Sequence, residues 1–157
     1  MKAAILTVSD RCAKGQQDDH STPAAEDILS RNGFEVGARS LVPDEHDAIA
    51  GELVRLCDDG MCDVVFTTGG TGLGPRDVTP EATLSVCERL VPGFGELMRA
   101  ESLKKTRRAV LSRGVAGLCG NTLIINLPGS PKAVRECMEI LLDLLPHAVE
   151  MIHGGGH

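Results

Sequence analysis

Between Thr67 and Ala82 the chain reads TTGGTGLGPRDVTPEA, with four glycines (Gly69, Gly70, Gly72, Gly74) inside six residues. They follow Val64-Val65-Phe66, an apolar run that reads as a buried strand. Glycine in such a place lets the backbone take positive φ, approach a ligand closely and turn its N–H groups toward an anion. Arg76 and Asp77, a cation and a carboxylate, come just before a helix expected to begin at Thr79-Pro80. Strand, glycine turn, charged pair and helix in that order is how an α/β protein builds a phosphate site. Two familiar phosphate motifs do not fit. Pro75 and Arg76 stand where a P-loop needs Lys and Ser/Thr, and G-x-G-x-x-G ends on Pro75 counted from Gly70 or on Asp77 counted from Gly72. The plainer reading is a tight turn that happens to be glycine-rich, but such a turn needs one or two glycines.

The other residues able to do chemistry are scattered. Asp44, in Val42-Pro43-Asp44-Glu45, lies at a strand-to-helix junction, and by position alone it reads as a helix N-cap. Asp77 comes two residues ahead of the expected cap Thr79, so capping does not require it. Carboxylates beside a phosphate site suit magnesium, which prefers oxygen and takes one or two carboxylates together with substrate phosphates. Without a cation they would repel a polyphosphate, so a nucleotide here implies Mg²⁺. Asn126–Lys132 (NLPGSPK) is a second loop-to-helix junction, where Ser130 can either cap the helix or meet a ligand. Lys104-Lys105-Thr106-Arg107-Arg108 reads mostly as a solvated surface, and Glu96 with Arg99 as a surface pair. Arg113 beside Ser112 could grip an anionic group.

These residues need a frame to bring them together. Strands are expected at Lys2–Ser9, Phe34–Val42, Cys62–Thr67 and Thr122–Leu127. Helices are expected at Pro23–Arg31 with Thr22 as N-cap, Asp44–Asp59, Thr79–Leu90 with Thr79 as N-cap, Pro92–Lys105, and Pro131–Ile152 split by Pro146. Alternation of apolar strands with helices predicts a single-domain, three-layer αβα sandwich with a mainly parallel sheet. In such sheets ligands bind beyond the carboxyl ends of the strands. Ser9-Asp10-Arg11, Thr68–Asp77 and Asn126–Lys132 all follow strands, so one rim would gather them.

Composition excludes other classes. The 157 residues fit one domain, and a 42% hydrophobic content with only 2% aromatics predicts an aliphatic core. A formal net charge of −6 argues against nucleic acid as a partner. The short apolar run in MKAAILTVSDR is no secretory signal, and no stretch is long enough to span a membrane, so a cytoplasmic protein is expected. The six cysteines form no C-x-x-C pair and read as reduced, mostly buried thiols. His153 and His157 flank glycines, in a tail (153–157) expected to fray rather than bind metal.

Taken together, the motifs resemble those of the MogA/MoaB-type molybdopterin-binding proteins, which include the molybdopterin adenylyltransferases. The resemblance runs from about Lys2 to Ile152, within an expected domain of residues 1–152. It rests on Ser9-Asp10-Arg11, Val42-Pro43-Asp44-Glu45, Thr68-Gly69-Gly70-Thr71-Gly72, Arg76 through Ala82, Pro92-Gly93-Phe94-Gly95-Glu96, Leu111-Ser112-Arg113 and Asn126-Leu127-Pro128-Gly129-Ser130-Pro131. It implies a Mg²⁺- and ATP-dependent transfer of AMP to the terminal phosphate of molybdopterin, releasing pyrophosphate, in a homotrimer, with hexamers among MoaB-type relatives. The two carboxylates that active members require match Asp44 and Asp77, as metal ligands and catalytic groups, which displaces the capping reading of Asp44. The resemblance assigns Thr68, Gly69, Gly70, Thr71 and Gly72 to the nucleotide. It assigns Ser9, Asp10, Arg11, Arg76, Ser112, Arg113, Asn126, Pro128, Gly129 and Ser130 to the pterin substrate. A non-catalytic molybdopterin carrier of the MoaB type is the alternative, and the pair of carboxylates favours the enzyme.

Overall fold

A computed structural model of the chain describes residues 1–58 and 60–155. The chain runs β1 (Lys2–Val8), α1 (Asp10–Ala13), α2 (Ser21–Arg31), β2 (Glu35–Val42), α3 (His46–Leu56), β3 (Val64–Thr68) and α4 (Thr79–Val86). It continues through β4 (Arg89–Leu90), α5 (Pro92–Leu103), a 3₁₀ turn (Arg107–Leu111), β5 (Ala116–Cys119), β6 (Thr122–Leu127), α6 (Pro131–Leu141) and α7 (Leu145–Ile152). The strands form one sheet in the order β2-β1-β3-β6-β5-β4. The first four run parallel, whereas β5 is antiparallel to β6 and β4 antiparallel to β5.

Side-chain alternation along the central strands divides the core into two layers. Ala3, Ile5, Val64, Phe66, Leu123 and Ile125 pack toward Ala25, Leu29, Phe94, Met98, Val134 and Met138 of α2, α5 and α6. Ala4, Leu6, Val65 and Ile124 face the other way, toward Ile49, Leu53 and Leu56 of α3 and Ala82 of α4. Both faces of β1, β3 and β6 are therefore covered, as their largely apolar sequence requires, whereas β2 at the edge leaves alternate residues exposed. The result is the single α/β domain with helices on both sides of a mainly parallel sheet that the sequence predicts.

Several local expectations are corrected. The helix expected over Asp44–Asp59 is His46–Leu56; Asp44 lies outside it, and residue 59 lies outside the described residues. Thr79 is the first helical residue of α4 rather than its cap, because its hydroxyl is buried and donates to the Gly69 carbonyl (2.9 Å). Thr22 does not cap α2 either; the Asp19 carboxylate accepts from the N–H groups of Ser21 (2.9 Å) and Thr22 (3.1 Å). The expected helix to Leu90 stops at Val86, and Arg89–Leu90 instead pairs with β5, a strand that the sequence pattern does not reveal. The last helical stretch divides ahead of Pro146, between Leu141 and Leu145, both fully buried. In residues 153–155 the N–H of Gly154 donates to Met151 (3.0 Å) and that of Gly155 to Glu150 (2.9 Å), a Schellman closure of α7. The rest of the expected tail, Gly156 and His157, lies outside the described residues.

Candidate functional site

Three strands end at one level. Thr7 of β1 is opposite Thr68 of β3, which is opposite Leu127 of β6. The turns that follow them meet at Gly69. Its N–H donates to the Leu127 carbonyl (3.2 Å), and a Cβ on Gly69 would lie 2.4 Å from the Val8 carbonyl oxygen. A Cβ on Gly129 would in turn lie 3.3 Å from the Gly69 Cα. Val42 joins the same rim by accepting from Ser9 N–H (3.0 Å). Parallel pairing thus gathers the separated motifs at one edge.

The four glycines of the loop do two different jobs. Gly69 (φ 93°) and Gly70 (φ 67°) adopt the left-handed region, and a Cβ on Gly70 would strike the Thr79 hydroxyl at 2.2 Å and meet Asp44 Oδ1 at 3.2 Å. Gly72 and Gly74 instead make room for a carboxylate, since a Cβ on either would sit 2.9 Å from Asp77 Oδ2. The same oxygen accepts from Gly74 N–H (2.8 Å), so the arch from Gly72 to Asp77 closes around this side chain. Among the described residues, the N–H groups of Gly70, Thr71 and Gly72 donate to no protein acceptor.

Asp44 is aimed at this loop by the first motif. Its Oδ2 accepts from Asp10 N–H (2.8 Å), and its own N–H donates to Asp10 Oδ1 (3.0 Å). The helix cap position falls on Glu45, whose side chain makes no cap bond, so Asp44 does not serve as the N-cap. Arg76 grips Asp10 with both ends of its fork, at 3.0 Å each. That hydrogen-bonded guanidinium holds the Asp10 carboxyl below the usual carboxylate range. Burial pushes the Asp44 carboxyl up, and the charges of Asp10 and Asp77 push the same way, against the Asp10 N–H and the Arg76 charge. A carboxylate burdened by burial and by like charges is a favourable place for a cation. Among the described residues no group of three or more His, Cys, Asp or Glu side chains is arranged to hold a metal, so a cation here would rest on two carboxylates.

The remaining candidates occupy varied positions. Ser9 caps α1 by accepting from Cys12 N–H (3.2 Å), and Arg11 lies exposed on that helix, lining none of the three cavities that flank the rim. Ser130 caps α6 through Ala133 N–H (3.1 Å), and the Gly129 carbonyl accepts from the Ser21 hydroxyl (2.6 Å). Asn126 lies inside β6 and is 1% exposed; its amide donates to Thr67 (3.0 Å) and Thr83 (2.9 Å) and its Oδ1 accepts from Val115 N–H (3.2 Å). Arg99 does not pair with Glu96 but donates to the carbonyls of Ser112 (3.3 Å) and Gly114 (2.9 Å). The Arg113 guanidinium is turned onto the glycine loop and Glu81.

Of the cavities, one of about 210 Å³ lies between α5 and α6 and is lined by Arg99, Arg108, Ser112, Asn126 and Pro128. A second, of about 130 Å³, opens where β1 and β3 end, between Ser9, Thr68 and Gly69 on one side and Asp19 and His20 on the other. The third, open and about 400 Å³, is lined by Asp44, Glu45, Pro75 and Arg76. Asp19 is a site neighbour that sequence reasoning missed. Besides its capping bonds it accepts from the Thr7 hydroxyl (2.8 Å), tying the start of α2 to the end of β1. The available signal was Asp19 ahead of Ser21-Thr22-Pro23, a capping carboxylate before a helix start.

Known proteins resemble this chain over most of its length. A family model described as "Probable molybdopterin binding domain" matches residues 4–147. The molybdopterin adenylyltransferase of Helicobacter pylori is 48% identical over 153 residues, covering 96% of this chain and 86% of that protein. The molybdopterin adenylyltransferase of Escherichia coli K12 is 42% identical over 157 residues, covering 98% of this chain and 79% of that protein. The crystal structure of the molybdopterin biosynthesis enzyme MoaB from Thermus thermophilus superposes with a TM-score of 0.92 at 50% identity, covering 98% of this chain and 96% of that one.

Proposed function

The chain belongs to the MogA/MoaB-type molybdopterin-binding family, and from that membership we propose that it is a molybdopterin adenylyltransferase. The observation that carries this reading is the approach of two carboxylates to one glycine loop. Asp44 Oδ1 stands 3.2 Å from the position of a Cβ on Gly70, and Asp77 Oδ2 stands 2.9 Å from that of a Cβ on Gly72. A pterin carrier that leaves phosphates unchanged has no need of two acidic groups at a phosphate loop.

In this reading the terminal phosphate of molybdopterin attacks the α-phosphate of ATP. A new P–O bond forms there, the bond between the α-phosphorus and the bridging oxygen breaks, and pyrophosphate leaves. The N–H groups of Gly70, Thr71 and Gly72 hold nucleotide phosphate oxygens. The oxygen-only pair Asp44 and Asp77 suits Mg²⁺, which when bound neutralises the phosphate charge that these carboxylates would otherwise repel. Arg76, held by Asp10, places its guanidinium on the wall of the open cavity beside Asp44. Pro128 and Ser112, on the wall of the cavity between α5 and α6, face the pterin side. Phosphoryl transfer needs little covalent help from the protein, so orientation and charge placement supply most of the rate. The working assembly is a homotrimer in which each subunit carries its own rim site.

The test is direct. Protein, molybdopterin, ATP and Mg²⁺ are incubated together, and adenylylated molybdopterin and pyrophosphate are measured. Formation of both supports the enzyme. Tight pterin binding without either product assigns the chain to the carrier class instead.

A further inference from the structure

We infer that Arg113 is a positioning residue, which fixes the arch carrying Asp77 by clamping both of its ends and bracing them against α4; the inference rests on the function proposed above. Its backbone N–H donates to the Thr71 carbonyl (2.9 Å), bringing the strand-leading segment 112–115 alongside the glycine loop. The side chain then reaches across the base of the arch. Nε donates to the Gly72 carbonyl (2.8 Å) and Nη2 to the Asp77 carbonyl (2.7 Å), so one planar group spans the first and last residues of the turn. Nη1 and Nη2 also engage the Glu81 carboxylate, in the first turn of α4. Four hydrogen bonds therefore leave the fork, directed at loop carbonyls and a helix carboxylate, all of them protein groups. A guanidinium with five donors in a rigid plane is suited to this task, and a lysine ammonium is not.

The consequence lies inside the arch. Asp77 Oδ2 takes the Gly74 N–H (2.8 Å), and the absence of side chains on Gly72 and Gly74 lets the carboxylate lie there. Leu73, at the crown, is 67% exposed and packs too little to hold the turn. The backbone carbonyls tied to Arg113 anchor both ends of the arch, while the Arg76–Asp10 pair anchors its flank. Arg113 thus acts through Asp77, and the sequence-based expectation that it grips the substrate anion is replaced by one in which it preorganises a carboxylate.

Arg113→Lys and Glu81→Gln test this. The lysine keeps the charge but cannot span Gly72 and Asp77 together. The glutamine weakens the brace to α4 and leaves both carbonyl contacts. Hydrogen exchange of the Gly74 amide is expected to accelerate at least tenfold in Arg113→Lys and less in Glu81→Gln, with far-UV circular dichroism unchanged. In turnover, Arg113→Lys is expected to raise the half-saturating Mg²⁺ concentration about tenfold and to lower kcat, while KM for molybdopterin stays within twofold; Glu81→Gln falls between. An unchanged Gly74 exchange rate in folded Arg113→Lys overturns the inference, as does a rise in KM for molybdopterin with Mg²⁺ dependence unaltered, which would make Arg113 a substrate ligand. If wild-type protein forms no adenylylated product, the proposed function fails, but the exchange measurement still decides the role of Arg113.

Discussion

Asp10 and Asp44, 34 positions apart in the chain, each accept the other's backbone N–H, at 3.0 and 2.8 Å. The reciprocal pair fastens the turn after β1 to the turn after β2 and sets the direction of the Asp44 side chain. Arg76 completes it by neutralising Asp10. Asp10→Asn keeps a side-chain oxygen for the Asp44 N–H but gives up the ion pair. Activity is expected to fall about 10- to 100-fold, the usual cost of removing a group that orients a metal ligand. Steady-state kinetics with Mg²⁺ titration measure this, and full activity in the variant would detach Asp10 from the site.

Asp77→Asn preserves shape and removes charge. Turnover is expected to drop by about 10²–10³-fold, the range seen when one preorganised electrostatic group is lost. Molybdopterin affinity, measured by calorimetry, should hold. A variant within a few-fold of wild type in turnover would take this carboxylate out of the chemistry.

Gly70→Val combines two penalties. Left-handed backbone costs a residue with a side chain about 1–2 kcal/mol, and the new Cβ would strike the buried Thr79 hydroxyl that bonds the Gly69 carbonyl. Urea denaturation should show a loss of about 2 kcal/mol or more, together with weakened ATP binding. The sequence alone predicts an effect mainly on ATP; the Thr79 contact adds the loss of stability. Unchanged stability would mean that the loop adopts another conformation.

Asp19 gives an acid-dependent term. Burial pushes its carboxyl up, but the hydrogen bonds from Thr22, Thr7 and Ser21 outweigh burial and hold it below the usual carboxylate range. A depressed folded-state value stabilises the protein above the unfolded value, and that stability disappears as pH falls through the folded one. Wild type should therefore exceed Asp19→Asn by about 1 kcal/mol at pH 7, with the gap closing below about pH 4. A gap independent of pH would show that the charge on Asp19 contributes nothing.

Assembly is checked by mass. Leu141 and Leu145, at the corner between α6 and α7, are fully buried within the subunit and offer nothing to a partner. Exposed apolar side chains include Leu73, Leu90, Val110, Leu111 and Leu144. Burying such side chains favours a homo-oligomer. Light scattering at micromolar protein should give about three times 16.6 kDa, and a mass near 16.6 kDa would exclude the trimer.

What the sequence determined by itself was local or periodic. Apolar runs at 64–66 and 123–125 with amphipathic segments between them dictated a parallel sheet covered on both faces, and the crowding of glycine after Phe66 marked the rim. Ser130 was legible as a cap candidate ahead of Pro131, and the bond from Ala133 N–H shows the cap. The tertiary structure alone decided the partners of the charged residues. Arg76 meets Asp10 across 66 positions, and Arg113 reaches Gly72 across 41, because β1, β3 and β6 are neighbours in space. Strands β4 and β5 stayed hidden for a related reason. Arg89–Leu90 and Ala116–Cys119 are too short to show a period, and pairing against the edge of β6 defines them. Side-chain direction at Asp44 belongs to the same class: its position permits a cap, and only the Asp10 N–H, delivered by the end of β1, turns it toward the loop.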